Sequence, residues 1–444
     1  MENKAIIKVA KFGGSSLADA EHFIKVKNII TSDSSRRYVV PSAPGKRFEG
    51  DVKVTDLLYE TCQAAIEGES IDPIFELVKA RYVNIIDELG LDLDLEEEFV
   101  KIKKTINETH SKDYAASRGE YLNGIVLAKY LGFDFVDAAD VIFFNEKGML
   151  DSEKTNEVMS DVLRGHACAV IPGFYGTDIN GNVKTFSRGG SDISGSIVAR
   201  AVVADLYENW TDVSGFLKAD PRMVMNPRPI EIITYNELRE LAYMGATVLH
   251  EDAIFPVRII GIPINIRNTN RPDDKGTMIV LNKPEGYEQL STITGIAGRK
   301  GFSVITVEKD LMNAEIGFVR KVLSIFEKYE ISFEHLPSGI DSIGIVVSTT
   351  KLESCKDALI EEIYETVNAD KVIVEDGLSL VAVVGCGMVN NCGTAARIFT
   401  AIAKNNINIR MIDQGSGEFN IIISVADKDM IRTVNAIYHE FEMD

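Results

Sequence analysis

No stretch of this chain stays apolar for the roughly 20 residues that a membrane-spanning helix needs, and its opening residues carry no signal-peptide core. Cations are also scarce: 47 Lys and Arg stand against 67 Asp and Glu, a net charge of −20. That balance argues against a nucleic acid or an anionic membrane as partner, since both need clustered Lys and Arg. The five cysteines (Cys62, Cys168, Cys355, Cys386, Cys392) include no C-x-x-C and no histidine at zinc spacing. They read as reduced thiols of a cytoplasmic protein, with no protein-held metal centre. A Walker A loop is missing too, which removes the commonest glycine-rich route to a phosphate site.

What remains is 444 residues, 45% hydrophobic and 26% charged, the composition of a globular protein of two or three domains. Up to about residue 280, short apolar β-like runs alternate with amphipathic segments. The runs are "AIIKVAKF", "YVVPSA", "DFVDAADVI", "CAVIPGFY", "YENWTDV" and "GIPINIRN". Between the first two, Phe23, Val26 and Ile30 share one helical face within Leu17–Ile30. Alternation of this kind predicts an α/β fold, a mostly parallel sheet flanked by helices with ligands at the carboxyl ends of its strands.

The pattern changes at the linker "NKPEGYEQ". Beyond it, the segments beginning at Gly317 and Gly393 align without a gap. Gly317/Gly393, Lys328/Lys404, Ile331/Ile407, Gly339/Gly415 and Ile345/Ile421 are identical pairs. Each copy reads strand, helix, strand, turn, strand, helix: a ferredoxin-like unit used twice. The predicted domains are 1–285, 286–380 and 381–444. The last is one strand short, and a strand near 291–297 could complete it.

Five polar loops follow apolar runs in the first domain. "KFGGSS" places Lys11 beside Gly13 and Gly14, where a backbone can approach a phosphate at a helix N-terminus. Taken alone it reads more simply as a plain strand–turn–helix capped by Ser15 or Ser16. "SAPGKRFEGDVKVTDLL" ends in Thr55 and Asp56, which capping would explain. In "SRGEYLNG", Glu120 reads as a first-turn acid favoured by the helix dipole. "FSRGGSDIS" gathers Arg188, two glycines, Ser191 and Asp192 into an anion site, with Arg188 able to grip a carboxylate. "WTDVSGFLKADPR" holds the single tryptophan with Asp212, Lys218, Asp220 and Arg222. Each loop alone has a bland reading, but five in one α/β domain point to a shared site.

Taken in order, "KFGGSSLAD", "SRGE", "RGGSD" and "WTDVSG…ADPR" resemble the aspartate kinases, of the amino-acid kinase fold. The resemblance covers nearly the whole chain, because those enzymes end in two ferredoxin-like ACT modules. It implies transfer of the ATP γ-phosphoryl group to the β-carboxylate of L-aspartate, with Mg²⁺. Lys11, Phe12, Gly13 and Gly14 would hold phosphates. Thr55, Glu120, Arg188 and Ser191 would bind aspartate, and Thr211, Asp212 and Arg222 would line the nucleotide site. Asp192 would orient lysine ammonium groups or the metal shell. There are departures: Thr247 stands where many members have a phosphate-contacting lysine, and Leu217 replaces a tyrosine. Lys218, which follows Leu217, is a candidate to restore the charge. The "GKRFEGDVK" loop is also longer than usual.

The resemblance further implies an amino-acid effector at the ACT modules and a homodimer or larger assembly built through them. Met312, Glu315, Phe318, Glu334, Ser338, Gly339 and Asp341 occupy the matching positions. The three acids among them favour lysine. The alternatives are another carboxylate kinase of this fold, or a silent amino-acid sensor on a kinase scaffold.

Overall fold

The chain divides into two units. One takes in Met1–Phe216, Glu231–Tyr235 and Val248–Asn282, and the other Leu217–Ile230, Asn236–Thr247 and Lys283–Asp444. The structure, a computed structural model, describes residues 6–187, 189–245, 253–287, 292–415, 417 and 419–442.

In the first unit, β1 (Lys8–Phe12) is buried along four of its five residues, as befits a strand covered on both faces. It lies between β2 (Arg36–Pro41) and β7 (Leu206–Thr211), parallel to both, with Phe12 level with Pro41 and Trp210. The full order is β3 (Asp134–Phe135), β4 (Ala169–Val170), β2, β1, β7, β9 (Ile264–Asn268), β10 (Thr277–Val280), β8 (Ile232–Thr234). Among the described residues, only the β9–β10 pair of this sheet is antiparallel. A hairpin of β5 (Tyr175–Thr177) and β6 (Val183–Thr185) stands apart.

The helices are α1 (Ala20–Thr31), α2 (Val54–Glu67), α3 (Asp72–Glu88), α4 (Glu96–Thr109), α5 (Lys112–Leu131), α6 (Ala138–Val141), α7 (Ser152–Arg164), α8 (Gly190–Ala201) and α10 (Phe255–Arg258), while α9 (Tyr235–Tyr243) belongs, but for Tyr235, to the second unit. The run "DFVDAADVI" splits, since Asp137 caps α6 by accepting the Ala139 N–H. Apolar content made it look like one strand, but the Asp137 cap turns the chain early. Helix α5 is buried almost all round, including Ser117, Arg118, Glu120 and Asn123.

The second unit is built on two long strands, β11 (Gly295–Glu308) and β14 (Lys371–Val384), paired antiparallel along nearly their whole length. Gly295–Lys300 pairs with Val384–Ser379, and Phe302–Glu308 pairs with the earlier half of β14. Strands β13 (Ser342–Ser348) and β12 (Phe333–His335) extend the sheet from β11, while β16 (Asn420–Ala426) and β15 (Ile409–Asp413) extend it from β14. Helices α11 (Phe318–Lys328), α12 (Thr349–Glu353) and α13 (Lys356–Val367) belong to the first copy, and α14 (Thr394–Lys404) and α15 (Met430–Glu442) to the second. Gly317 and Gly393 both sit in the left-handed region, at φ 79° and 89°, at the N-caps of equivalent helices. Side-chain bonds repeat too: Ser303 shares a hydrogen bond with Thr349, just after β13, as Ser379 donates to Asp427, just after β16.

Candidate active site

Four parallel strands, β4, β2, β1 and β7, end in line, so the loops after them share one edge of the sheet. From β1, buried Lys11 reaches Asp192 in the first turn of α8, with Nζ 2.6 Å from Oδ1. Asn209, level with Lys11 on β7, donates to the same oxygen at 2.9 Å. The backbone oxygen of Asp192 accepts the Tyr207 hydroxyl at 3.1 Å. One carboxylate is thus fixed from two strands, and it in turn fixes the lysine.

The glycine loop closes against its neighbour. Gly45 N–H donates to Gly14 O at 2.8 Å, and a Cβ on Gly45 would lie 2.6 Å from the Gly14 carbonyl carbon. Only glycines allow that approach. Gly13 donates its N–H to Trp210 O at 3.0 Å, so it offers no free amide, and a Cβ there would touch Lys11 Nζ at 3.6 Å. Phe12 is fully buried against Trp210 and packs the sheet instead of facing a ligand. Neither Ser15 nor Ser16 caps α1. Asp19 does so by accepting the His22 N–H, while Ser16 Oγ shares a hydrogen bond with Thr269 Oγ1.

The loop after β2 is held by Arg81 of α3, which donates to Gly45 O at 2.9 Å and to Asp51 Oδ2 at 2.9 Å. Arg47 grips the same carboxylate. Thr55 is the second residue of α2, half-buried, and Lys53 rather than Thr55 occupies the N-cap.

Glu120 departs most from the sequence reading. It is in the middle of α5, only 5% exposed, not a solvated first-turn acid. Gly119 explains the burial: a Cβ there would come within 2.8 Å of Ala43 Cβ, so the helix lies directly on the loop after β2. Burial pushes the Glu120 carboxyl up to about 8, against the Ala43 N–H and the charges of Arg118 and Lys11, which favour ionisation. Its Oε2 has no hydrogen-bond partner among the described residues. Arg118 is buried among the rings of Tyr121, Tyr114 and Tyr175, at 4.5, 4.6 and 5.1 Å.

Ser191 sits at the start of α8, where a Cβ on Gly173 would lie 2.7 Å from its Oγ. Gly190 is equally constrained, since a Cβ there would meet Phe174, itself at φ 80°, at 2.3 Å. Arg188 and Thr247 lie outside the described residues. Thr211 Oγ1 and Asp212 Oδ1, at the end of β7, are 3.2 Å apart.

The remaining expected residues fall in the second unit. Lys218 is paired with Glu442 at 2.7 Å, so its charge is already engaged. Arg222 is exposed and paired with Asp220. Met312 and Phe318 are core side chains of the first ACT-like copy, not surface contacts. Glu315 is clamped by Lys309 at 2.8 Å and Lys321 at 2.7 Å, and those hydrogen bonds hold its carboxyl down at about 2. Glu334 accepts the Tyr243 hydroxyl. Asp341 accepts the Leu311 N–H at 3.0 Å. Ser338 bridges to Ile343, and Gly339 donates to Ser342 O.

Asn209, Asn123 and Arg81 were not singled out from the sequence. For the two asparagines the available signal was polarity inside an otherwise apolar run; for Arg81 there was none, because its partners are distant in sequence.

Among the described residues no three His, Cys, Asp or Glu side chains are grouped to hold a metal, and no helix is long and apolar enough to cross a membrane.

The profile of the amino acid kinase family matches residues 7–268, and that of the ACT domain residues 381–441. Aspartokinase 3 of Bacillus subtilis is 38% identical over 452 residues, 98% of either chain. The aspartate kinase of Clostridium acetobutylicum, described as an allosteric enzyme, superposes with a TM-score of 0.91 at 54% identity, over 98% of this chain and 100% of that one. Escherichia coli aspartokinase III, solved with lysine and aspartate, superposes at 0.73 and 25% identity, over 98% and 99%.

Proposed function

The chain belongs to the amino acid kinase family and is an aspartate kinase, and on that premise we propose that it passes the ATP γ-phosphoryl group to the β-carboxylate of L-aspartate, giving 4-phospho-L-aspartate. The observation that carries this reading is a buried carboxyl, Glu120, within electrostatic reach of Lys11, whose own place at the end of β1 is fixed by Asp192. Glu120 receives the α-ammonium, whose charge returns the carboxyl to its ionised form. Arg188 takes the α-carboxylate, with Thr55 and Ser191 beside it.

The β-carboxylate is ionised at neutral pH and needs no general base. Catalysis is therefore positioning and charge neutralisation. Lys11 supplies a point charge for the transferring group, and Asp192 with Asn209 keeps that charge in place. The N-terminus of α8 adds its positive end. Thr211 and Asp212 line the nucleotide side.

Mg²⁺ would be held chiefly by the phosphates of the nucleotide and by water, as is usual for this ion. Asp212, exposed beside Thr211, is the carboxylate suited to its water shell. The metal would neutralise charge on the transferring phosphates.

We propose as well that the ACT modules bind lysine as a feedback effector and join two copies of the chain. Glu315 is already neutralised, so Glu334 and Asp341 are the acids for a lysine ammonium. An aspartyl hydroxamate assay with ATP and Mg²⁺ tests the catalytic reading. Product must form with L-aspartate and not with L-glutamate, N-acetylglutamate or carbamate; no turnover of any would return the chain to the silent-sensor reading.

A further inference from the structure

Asn123 is fully buried, one turn beyond Glu120 on the same face of α5. Its amide orientation is not arbitrary. The Nδ2 group donates to Ser42 O at 2.6 Å, and a flipped amide would set two oxygens against each other. The carbonyl Oδ1 is therefore fixed as well, and it has no hydrogen-bond partner among the described residues. Glu120 is in the same state: the Ala43 N–H supports its carboxyl, and Oε2 is left unpaired. Two orphaned buried acceptors thus sit on successive turns of one helix, anchored to consecutive residues at the carboxyl end of β2.

A buried acceptor left unpaired forfeits its hydration with nothing in return, so the persistence of two together calls for a ligand rich in donors. A carboxylate or phosphate would only add acceptors. An ammonium group brings three N–H donors and no acceptor. We propose that Asn123 Oδ1 is a second acceptor for the substrate's α-ammonium, making Asn123 a specificity-determining residue that selects amino acids over plain dicarboxylic acids. The proposal rests on the reading of Glu120 as the ammonium seat. A dicarboxylate lacking the amine would leave both oxygens unsatisfied, the situation in which buried polar groups discriminate most strongly.

The test uses the purified full-length enzyme and compares L-aspartate with succinate, the same dicarboxylate without the amine. Asn123→Ala is expected to raise the KM for aspartate at least about tenfold, the loss of one hydrogen bond to a charged group, and to leave the inhibition constant of succinate unchanged. Asn123→Asp, buried and so kept protonated, can still donate to Ser42 O while offering an acceptor oxygen; it should hold the KM near wild type, and it remains a test should the alanine variant not fold. Equal weakening of aspartate and succinate in either variant would mean that Asn123 only shapes the helix, and the proposal falls. An unchanged KM in Asn123→Ala overturns it too. Glu120→Gln is run in parallel. If that variant also leaves the KM for aspartate unchanged, the ammonium seat itself is wrong; if it raises the KM while Asn123→Ala does not, only the role of Asn123 is lost.

Discussion

Lys11 Nζ lies 2.6 Å from Asp192 Oδ1, tying the first strand of the sheet to the first turn of α8. The pair is nearly enclosed and is completed by Asn209 on the neighbouring strand. Such a lysine is preorganised: its charge is aimed before any substrate arrives.

Lys11→Ala should therefore lower kcat about 10²–10³-fold, the usual cost of removing one preorganised charge or donor, with little change in the KM for aspartate. Steady-state kinetics with each substrate varied in turn reads this. A near-normal kcat would remove Lys11 from the transfer step.

Glu120 gives a prediction in pH. Its carboxyl is raised from 4.5 to about 8, so between those values the folded chain keeps a proton that the unfolded chain has released. Stability should then fall as pH rises through that window. A tenfold difference in proton affinity between the folded and unfolded chain is worth about 1.4 kcal/mol. Urea unfolding of the ligand-free protein at pH 5, 6, 7 and 8, set beside Glu120→Gln, isolates the effect: the difference between the two should grow steadily with pH. A constant difference would place Glu120 in contact with solvent or a compensating charge.

Arg81 joins α3 to the loop after β2, and through Gly45 to the glycine loop. Arg81→Met leaves Asp51 buried with Arg47 alone. Losing one charge-assisted hydrogen bond while Arg47 still compensates Asp51 should cost about 1.5–3 kcal/mol, which urea unfolding would register. The KM for ATP should rise as the Gly14 contact loosens. An unchanged KM at reduced stability would confine Arg81 to holding the loop.

Lysine inhibition, if present, should depend on Glu334 and Asp341 more than on Glu315, because Lys309 and Lys321 already occupy the latter. Asp341→Asn should weaken lysine binding about tenfold by calorimetry, the scale of one lost charge-assisted hydrogen bond, and Glu315→Gln should change it little. Lysine inhibits only if it favours a less active state, with a differential of about 1–3 kcal/mol. No heat and no inhibition at millimolar lysine would end the lysine reading.

Periodicity and repetition were enough to read much of this molecule from its sequence. Alternating apolar runs predicted a mostly parallel sheet, because strands buried on both faces must be apolar throughout. The aligned glycines Gly317 and Gly393 marked the two ACT-like copies, because each holds a left-handed N-cap that favours glycine. Ordered motifs singled out Lys11 and Asp192 as candidates, and the structure brings the two together at the strand ends. The state of those residues was not legible. Whether Glu120 is a solvated acid or a buried proton holder depends on Gly119 lying against Ala43, a contact between segments distant in the sequence. Likewise Glu315 and Lys218 looked like free charges until their partners, Lys309 with Lys321 and Glu442, came into reach. Local sequence determines which groups are present and which element carries them; desolvation and ion pairing arise only when the chain closes on itself, and they decided here which charges remain available.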